Sequence, residues 1–326
     1  MKAIALTNKG IEDICALEIK EILNITSKQH DSYVEFEAEE KEIIKLCYMG
    51  RTITKIILIV DVDSWIKGKT FAVTSENRDI IEAIADKINE GTVDLKNPDI
   101  TVHAIDEAKY GIDMTGEDLS KRDYRVFLGP ESLKGNIAYA LLRITGYTGK
   151  EKLLDLNCRS GIIPIEAALY TQNKSVNHYD KDKFYFLKIK PDYLEYMEQL
   201  DKQIIDEIPS EIHCADAKIV NINAAKKNSK IAGIIKKIKY SRMDLKDVDL
   251  KYDKIDMIIT MPETGTEKEV MKQAGIILTP NGKITLIARK GIDILKKEAV
   301  ANKLNLTEER KVMQGKEEWS VLVFQR

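Results

Sequence analysis

Two strand-to-turn junctions and two further strand-end carboxylates are the places in this chain where side-chain type and spacing suit chemistry. The first junction, Leu153-Leu154-Asp155-Leu156-Asn157-Cys158-Arg159-Ser160-Gly161, leads from an apolar strand through a tight turn into a helix. A glycine in such a turn lets backbone approach a bound group closely. The second junction runs from Lys254 to Gly265, a buried strand that stops abruptly at Met261-Pro262-Glu263-Thr264-Gly265. Glu263 has a carboxylate that can accept two hydrogen bonds, whereas the Met261 thioether is a weak acceptor. The alternative for Glu263 is a surface turn with no chemistry. Asp216 ends a strand just ahead of a helix, a position that also suits an N-cap. Asp244 follows the next strand and reads equally as a loop carboxylate. Strand ends are where an open α/β sheet holds its ligand.

No metal site is expected. The cysteines are Cys15, Cys47, Cys158 and Cys214, with no CxxC pair and no zinc-like spacing. Cys15 and Cys47 fall in apolar helical patterns and read as core. Free thiols fit a reducing compartment, so the cytoplasm is the expected location. The N-terminal Met1-Lys2-Ala3-Ile4-Ala5-Leu6 reads as a short strand rather than a signal peptide, and no apolar run approaches membrane-spanning length. Net charge is −2 over 326 residues, so no global positive field draws in a polyanion. A nucleic-acid site has to be a local basic patch.

The elements that must position these residues follow from hydrophobic periodicity. Strand and helix alternate over residues 1–60 in the order β-α-β-α-β, which suggests a small ferredoxin-like α+β module. A second small unit follows, with strands at 70–73, 100–105 and 110–114 around a helix at 78–88. Residues 116–123 are polar and read as a linker. From about residue 126 a larger unit alternates helix and strand to the end of the chain. It is interrupted by a charged, Tyr-rich passage at 173–209 that reads as a helical insertion. The alternation predicts a doubly wound, mostly parallel sheet. The domain reading is therefore 1–58, 59–115, a linker at 116–127, and 128–326.

Three stretches in this order resemble the THUMP-domain RNA methyltransferases that modify the exocyclic amine of guanosine. Lys69-Thr70-Phe71-Ala72-Val73 with Val93-Asp94-Leu95-Lys96-Asn97-Pro98-Asp99-Ile100 looks like the THUMP signature. Lys121-Arg122-Asp123-Tyr124-Arg125, followed by Gly129-Pro130-Glu131-Ser132-Leu133, resembles the approach to the methyltransferase domain. The run from Leu153 to Leu169 looks like the first cofactor motif. Its Ile-Pro-Ile-Glu-Ala-Ala ending is most similar to the branch acting on guanosine 6 of tRNA, with the guanosine 10 branch a close competitor. The resemblance implies residues 59–115 as a THUMP RNA-binding domain, 128–326 as a Rossmann-like class I methyltransferase domain, S-adenosyl-L-methionine as cofactor, and tRNA as partner.

It also implies roles. Asp155, Cys158, Arg159, Ser160 and Gly161 occupy the cofactor turn, but Leu156, Arg159 and Ile162 replace the family's Pro, central Gly and Thr. Arg159 either blocks the cofactor or reaches its carboxylate. Asp216 corresponds to the ribose-binding acid and Asp244 to the acid beside the adenine amine. In the catalytic tetrad, Asn/Asp-Pro-Pro-aromatic, this chain has Met261-Pro262-Glu263-Thr264. The family's first residue and the next carbonyl accept the amine's two hydrogens, and its aromatic stacks on the extruded base. Candidate RNA contacts are Lys67, Lys69, Arg78, Lys96, Lys121, Arg122 and Arg125, or these form a solvated face. A second run, Lys226, Lys227, Lys230, Lys236, Lys237 and Lys239, reads as a solvated face. Three functions follow: an active tRNA guanosine-N2 methyltransferase, a non-catalytic RNA-binding relative, or a partner subunit for a true methyltransferase. Damage at both corners favours the latter two.

Overall fold

The computed structural model describes residues 1–129 and 131–326. It divides into two compact units, Met1–Ser120 with Asn177–Lys202, and Lys121–Val176 with Gln203–Arg326. The expected passage at 173–209 thus mostly belongs with the N-terminal residues, not with the unit whose sequence it interrupts.

In the first unit the chain runs β1 (Lys2–Leu6), α1 (Glu12–Leu23), β2 (Ser27–His30), β3 (Tyr33–Glu37), α2 (Glu40–Met49) and β4 (Lys55–Ile59). It continues through α3 (Val62–Ile66), β5 (Thr70–Thr74), α4 (Arg78–Lys87), β6 (Thr92–Val93), β7 (Ile100–Ala104) and β8 (Tyr110–Asp113). All eight strands form a single sheet in the order β2-β3-β1-β4-β8-β7-β5-β6. The seam between the two expected modules is the antiparallel pair Ile57↔Asp113 and Leu58↔Ile112. A sheet running through position 58 explains why no linker separates them. The segment resembling the THUMP signature is a structured turn. Asp94 accepts from the Lys96 and Asn97 amides at 2.9 and 3.1 Å, and Asp99 ties back to β5 through the Thr70 amide at 2.8 Å.

The interrupting passage completes this unit's core. Phe184, Phe186, Met197 and Leu200 are buried in the same apolar cluster as Ile43, Cys47 and Tyr48 of α2. Tyr48 donates to Asp201 at 2.6 Å, and the Phe184 and Phe186 rings stack at 5.0 Å. Only Phe186–Ile189 and Tyr193–Asp201 are helical.

The second unit contains helix α5 (Gly135–Thr145), β9 (Leu153–Asp155) and α6 (Ile162–Thr171). The interrupting helices take the labels α7 (Phe186–Ile189) and α8 (Tyr193–Asp201). After them come β10 (Ile212–Asp216), α9 (Ile219–Ile231), β11 (Ile238–Arg242), β12 (Ile255–Thr260), α10 (Glu267–Ile277), β13 (Leu278–Ala288), α11 (Ile292–Ala301), β14 (Asn305–Gln314) and β15 (Glu317–Gln325). The sheet order is β11-β10-β9-β12-β13-β15-β14, parallel from β11 through β13 and antiparallel at β15 and β14. Strand order reverses direction between β9 and β12, and this switch point is where such sheets open a ligand crevice. Both chemical junctions leave from these two strands. β14 has no counterpart in the periodicity reading because its face is mostly exposed and polar.

The expected linker contains the division between the two units and is partly enclosed: Glu117, Lys121, Asp123, Val126 and Phe127 are exposed. Leu119, Ser120, Arg122 and Tyr124 are buried. Arg122 Nε donates to Glu166 at 2.8 Å, with both side chains fully enclosed, and the Tyr124 hydroxyl donates to the same carboxylate oxygen at 2.6 Å. Gly135 opens α5 against this pair, since a Cβ there would lie 2.5 Å from the Arg122 side chain. Polar residues at these positions mark a buried ion pair rather than a tether.

Candidate functional site

The turn from Leu156 to Gly161 leaves β9 and enters α6. Asp155 is buried at its start. One carboxylate oxygen accepts from the Thr260 hydroxyl at 2.7 Å and from the Asn157 amide at 3.2 Å. Burial raises its pKa to about 7 against the pull of these hydrogen bonds. Cys158 is buried against Cys214, with its amide donating to Ala215 at 3.0 Å. Burial pushes the Cys158 thiol well above its ordinary range, so it is not a nucleophile.

Arg159 adopts φ +49°, a left-handed conformation that favours glycine. Its amide donates to Asp216 at 3.0 Å. Its guanidinium lies 3.3 Å from Glu131, which in turn holds Arg289 at 2.7 Å. Arg289 also pairs with Glu317 and stacks over Trp319 at 4.8 Å. The hydrogen bond from Arg289, reinforced by Arg159, holds the Glu131 carboxyl below its usual range. Ser160 Oγ meets Ser132 Oγ at 3.2 Å. Gly161 has φ +79°, and a Cβ there would sit 2.7 Å from the Ala225 Cβ. Its glycine is therefore required by the packing of α9.

Asp216 closes β10 in the position expected of a ribose acid, but its hydrogen-bonding capacity is in use. One oxygen accepts from the Lys218 amide at 2.8 Å, the other from Arg159, and the Asn221 amide reaches both at 3.0 Å. Asp244 is exposed and caps the following 3-10 turn through the Lys246 amide at 3.1 Å. Beyond β12, Met261 is 4% exposed and points no acceptor into the crevice. Pro262 is half-buried. Glu263 is held by Lys218 at 2.7 Å, and its carbonyl takes the Thr266 amide at 3.0 Å. Thr264 is exposed and supplies no ring to stack a base.

S-adenosylmethionine is the cofactor that this fold and family imply, and the side chains can be tested against it. Between the first turn and Met261, lined also by Ser132 and Leu133, the cavity is about 20 Å³. A neighbouring one, bounded by Met261, Glu267, Arg289 and Trp319, is about 60 Å³. The first cavity has room for about one water. The residues expected to hold the cofactor come together around the first turn, where Asp155, Arg159, Ser160 and Gly161 stand in sequence and the Arg159 amide donates to Asp216.

The RNA candidates divide. Lys67, Lys69, Arg78 and Lys96 are exposed on the first unit, with Lys67 and Arg78 in loose pairs to Glu90 and Glu82. Lys121 is exposed on the second unit. Arg122 is excluded from this role because its charge is enclosed with Glu166. Arg125 is half-buried, its guanidinium 3.5 Å from Ser132, and does not present a free cation. Sequence reasoning missed Glu131, Thr260, Asn221, Arg289 and Trp319. Of these, Glu131, Thr260 and Asn221 lie in or beside stretches that the sequence singles out, whereas Arg289 and Trp319 carry no such signal.

The second unit, with its 3-2-1-4-5-7-6 strand order counted from β9, has the class I methyltransferase fold. Residues 122–273 match the UPF0020 family, described as an RMKL-like methyltransferase domain, and residues 2–57 match the RlmL ferredoxin-like domain. These two matches, in this order, support a relationship to the RlmL/TrmN-like methyltransferases. It is 32% identical to the tRNA (guanine(6)-N2)-methyltransferase of Methanocaldococcus jannaschii over 68% of this chain and 62% of that protein. It is 26% identical to the ribosomal RNA large subunit methyltransferase K/L of Vibrio campbellii over 74% of this chain and 40% of that one. It therefore spans about two fifths to three fifths of the length of these relatives. Among solved structures, TrmN from Thermus thermophilus aligns with a TM-score of 0.74 at 18% identity, covering 100% of this chain and 99% of that one. SMU.472, a putative methyltransferase complexed with SAH, gives 0.78 at 17%, covering 99% and 97%. Both show the same fold. Among the described residues, no helix is long and apolar enough to cross a membrane, and no group of His, Cys, Asp or Glu is arranged for a metal.

Proposed function

We propose that this chain is an RNA-binding member of the guanosine-N2 methyltransferase family, directed at tRNA, whose methyl-transfer site is closed. The observation that carries this reading is the state of Asp216. Its carboxylate is satisfied by Arg159, Lys218 and Asn221, so ribose hydroxyls would have to displace existing bonds. The absent tetrad acceptor at Met261 and the missing ring at Thr264 support the same conclusion. So does Glu263, the one substitute acceptor, which is paired with Lys218. Residues 59–115 serve as the THUMP RNA-binding domain, and RNA modification in the cytoplasm is the setting. The 32% identity to a tRNA (guanine(6)-N2)-methyltransferase supports a second reading, an active enzyme of that specificity.

Calorimetry with S-adenosylmethionine and SAH, alongside transfer of tritiated methyl to a tRNA transcript, separates the two. The closed-site reading expects no binding heat at millimolar cofactor and no label on RNA. Micromolar binding, about −8 kcal/mol, with label incorporated would establish the enzyme instead.

A further inference from the structure

Residues 217–243 contain seven lysines and one arginine and no Asp or Glu, in a chain where acids outnumber bases overall. This segment covers α9, the short 3-10 turn after it and β11. Four of its cations are occupied: Lys218 by Glu263, Lys239 by Glu211, Lys237 by the Asp206 carbonyl and Arg242 by the Ala217 carbonyl. Among the described residues, Lys226, Lys227, Lys230 and Lys236 have no carboxylate partner, and all four are exposed. Lys226 and Lys227 rest instead over the rings of Tyr240 and Phe127, at 5.7 and 4.6 Å.

The placement is one face. α9 buries Ile222, Ala225, Asn228 and Ser229. At 100° per residue this leaves Asn223, Lys226, Lys227 and Lys230 together on the solvent side. Lys226 and Lys230 are spaced i,i+4, and Lys227 and Lys230 i,i+3. Like charges at these spacings destabilise a helix by a few tenths of a kcal/mol each. The helix dipole favours Lys230 in the last turn, but its effect fades beyond that turn and leaves Lys226 and Lys227 unexplained. Other exposed helices interleave acids, as in Arg78–Glu82 and Glu269–Lys272.

The face is also rigidly bordered. The Asn228 amide exchanges two hydrogen bonds with the Phe127 backbone, at 2.9 and 3.0 Å, fixing the exposed Val126-Phe127-Leu128 loop against α9. Protein interfaces are depleted in lysine, whereas phosphate contacts use it as a point charge.

We propose that this α9 face is a second RNA-binding surface that grips the phosphate backbone without reading bases. It rests on the RNA-binding reading above and adds to it a site outside the THUMP unit. Neutralising Lys226, Lys227, Lys230 and Lys236 removes about four phosphate contacts, each contributing roughly 0.7–0.9 to the slope of log affinity against log salt. Between 50 and 200 mM salt, the wild-type protein then loses about 50–150-fold more affinity than the variant.

The experiment uses the full chain and a fluorescein-labelled tRNA transcript, with anisotropy read across that salt range. The variant carries Lys226→Gln, Lys227→Gln, Lys230→Gln and Lys236→Gln, and a control carries Lys67→Gln, Lys69→Gln, Arg78→Gln and Lys96→Gln. The expected result is a salt slope shallower by about 3 in the α9 variant, with cooperative unfolding and a melting temperature within a few degrees of wild type because all four side chains are exposed. Wild-type binding with an unaltered slope in the α9 variant overturns the inference alone and leaves the face to a protein partner. Absence of wild-type binding overturns it together with the RNA-binding reading.

Discussion

Asp155→Asn tests whether the turn after β9 is built around a carboxyl that stays neutral below pH 7. In the folded protein this group titrates near 7 because burial opposes its charge. In the unfolded chain it titrates near 3.9. Between those values the native state holds one more proton than the unfolded state, so stability falls as pH rises. The contribution is fully present below about pH 4 and is lost as pH rises through 7. Integration between pH 5 and pH 8 gives a loss of about 2–3 kcal/mol from this group. Asparagine is nearly isosteric and keeps an acceptor for the Thr260 hydroxyl and the Asn157 amide, which share one oxygen. The variant therefore lacks this loss. Urea unfolding at the two pH values measures it. The chain has two tryptophans, so a Trp65→Phe background lets buried Trp319 report the second unit alone. Other titrating groups are common to both proteins and cancel in the difference. Parallel pH profiles, agreeing within about 0.5 kcal/mol, would show that Asp155 is ionised in the fold and that the reasoning fails.

Three further outcomes are expected. Arg122→Ala strands the buried Glu166 charge and lowers stability by about 3–5 kcal/mol, measured by urea unfolding at neutral pH; a loss under about 1 kcal/mol would mean water reaches the pair. Gly161→Ala meets Ala225 and a left-handed backbone, with an expected loss of about 1–3 kcal/mol in the same assay, whereas a neutral result would return Gly161 to a purely cofactor-related role. Arg159→Gly relieves about 1 kcal/mol of left-handed strain while giving up the Glu131 contact, so stability changes little. It leaves in place the backbone amide that fills Asp216, so calorimetry is expected to detect no SAH binding in either protein; heat in the variant alone would make the Arg159 side chain the obstruction.

Most of the architecture was accessible from periodicity. The strands ending at Asp155, Asp216 and Thr260 and the helices after them stand within a residue or two of their expected places, because each buries a local apolar pattern. β14 escaped because an edge strand with polar residues on its open face carries no such pattern. Within the 116–127 stretch, Arg122 read as an RNA contact because composition cannot distinguish an arginine in solvent from one enclosed with a glutamate 44 positions away. The Phe184 to Leu200 segment has ordinary amphipathic spacing, but nothing local indicates which core receives its apolar side.

By itself the chain of residues determined most of the order of elements, the family resemblance, and the two corners at which a site is proposed. Motif letters and hydrophobic period are local properties, and the backbone geometry they encode is local too. Tertiary structure alone decided whether the site is open. Asp216 is satisfied by an amide 57 residues earlier, and Arg159 is turned toward Glu131 and, through it, Arg289. Hydrogen-bond satisfaction depends on distances between groups remote in sequence, so the same aspartate reads identically on paper whether it awaits a ligand or has already been answered by its own chain.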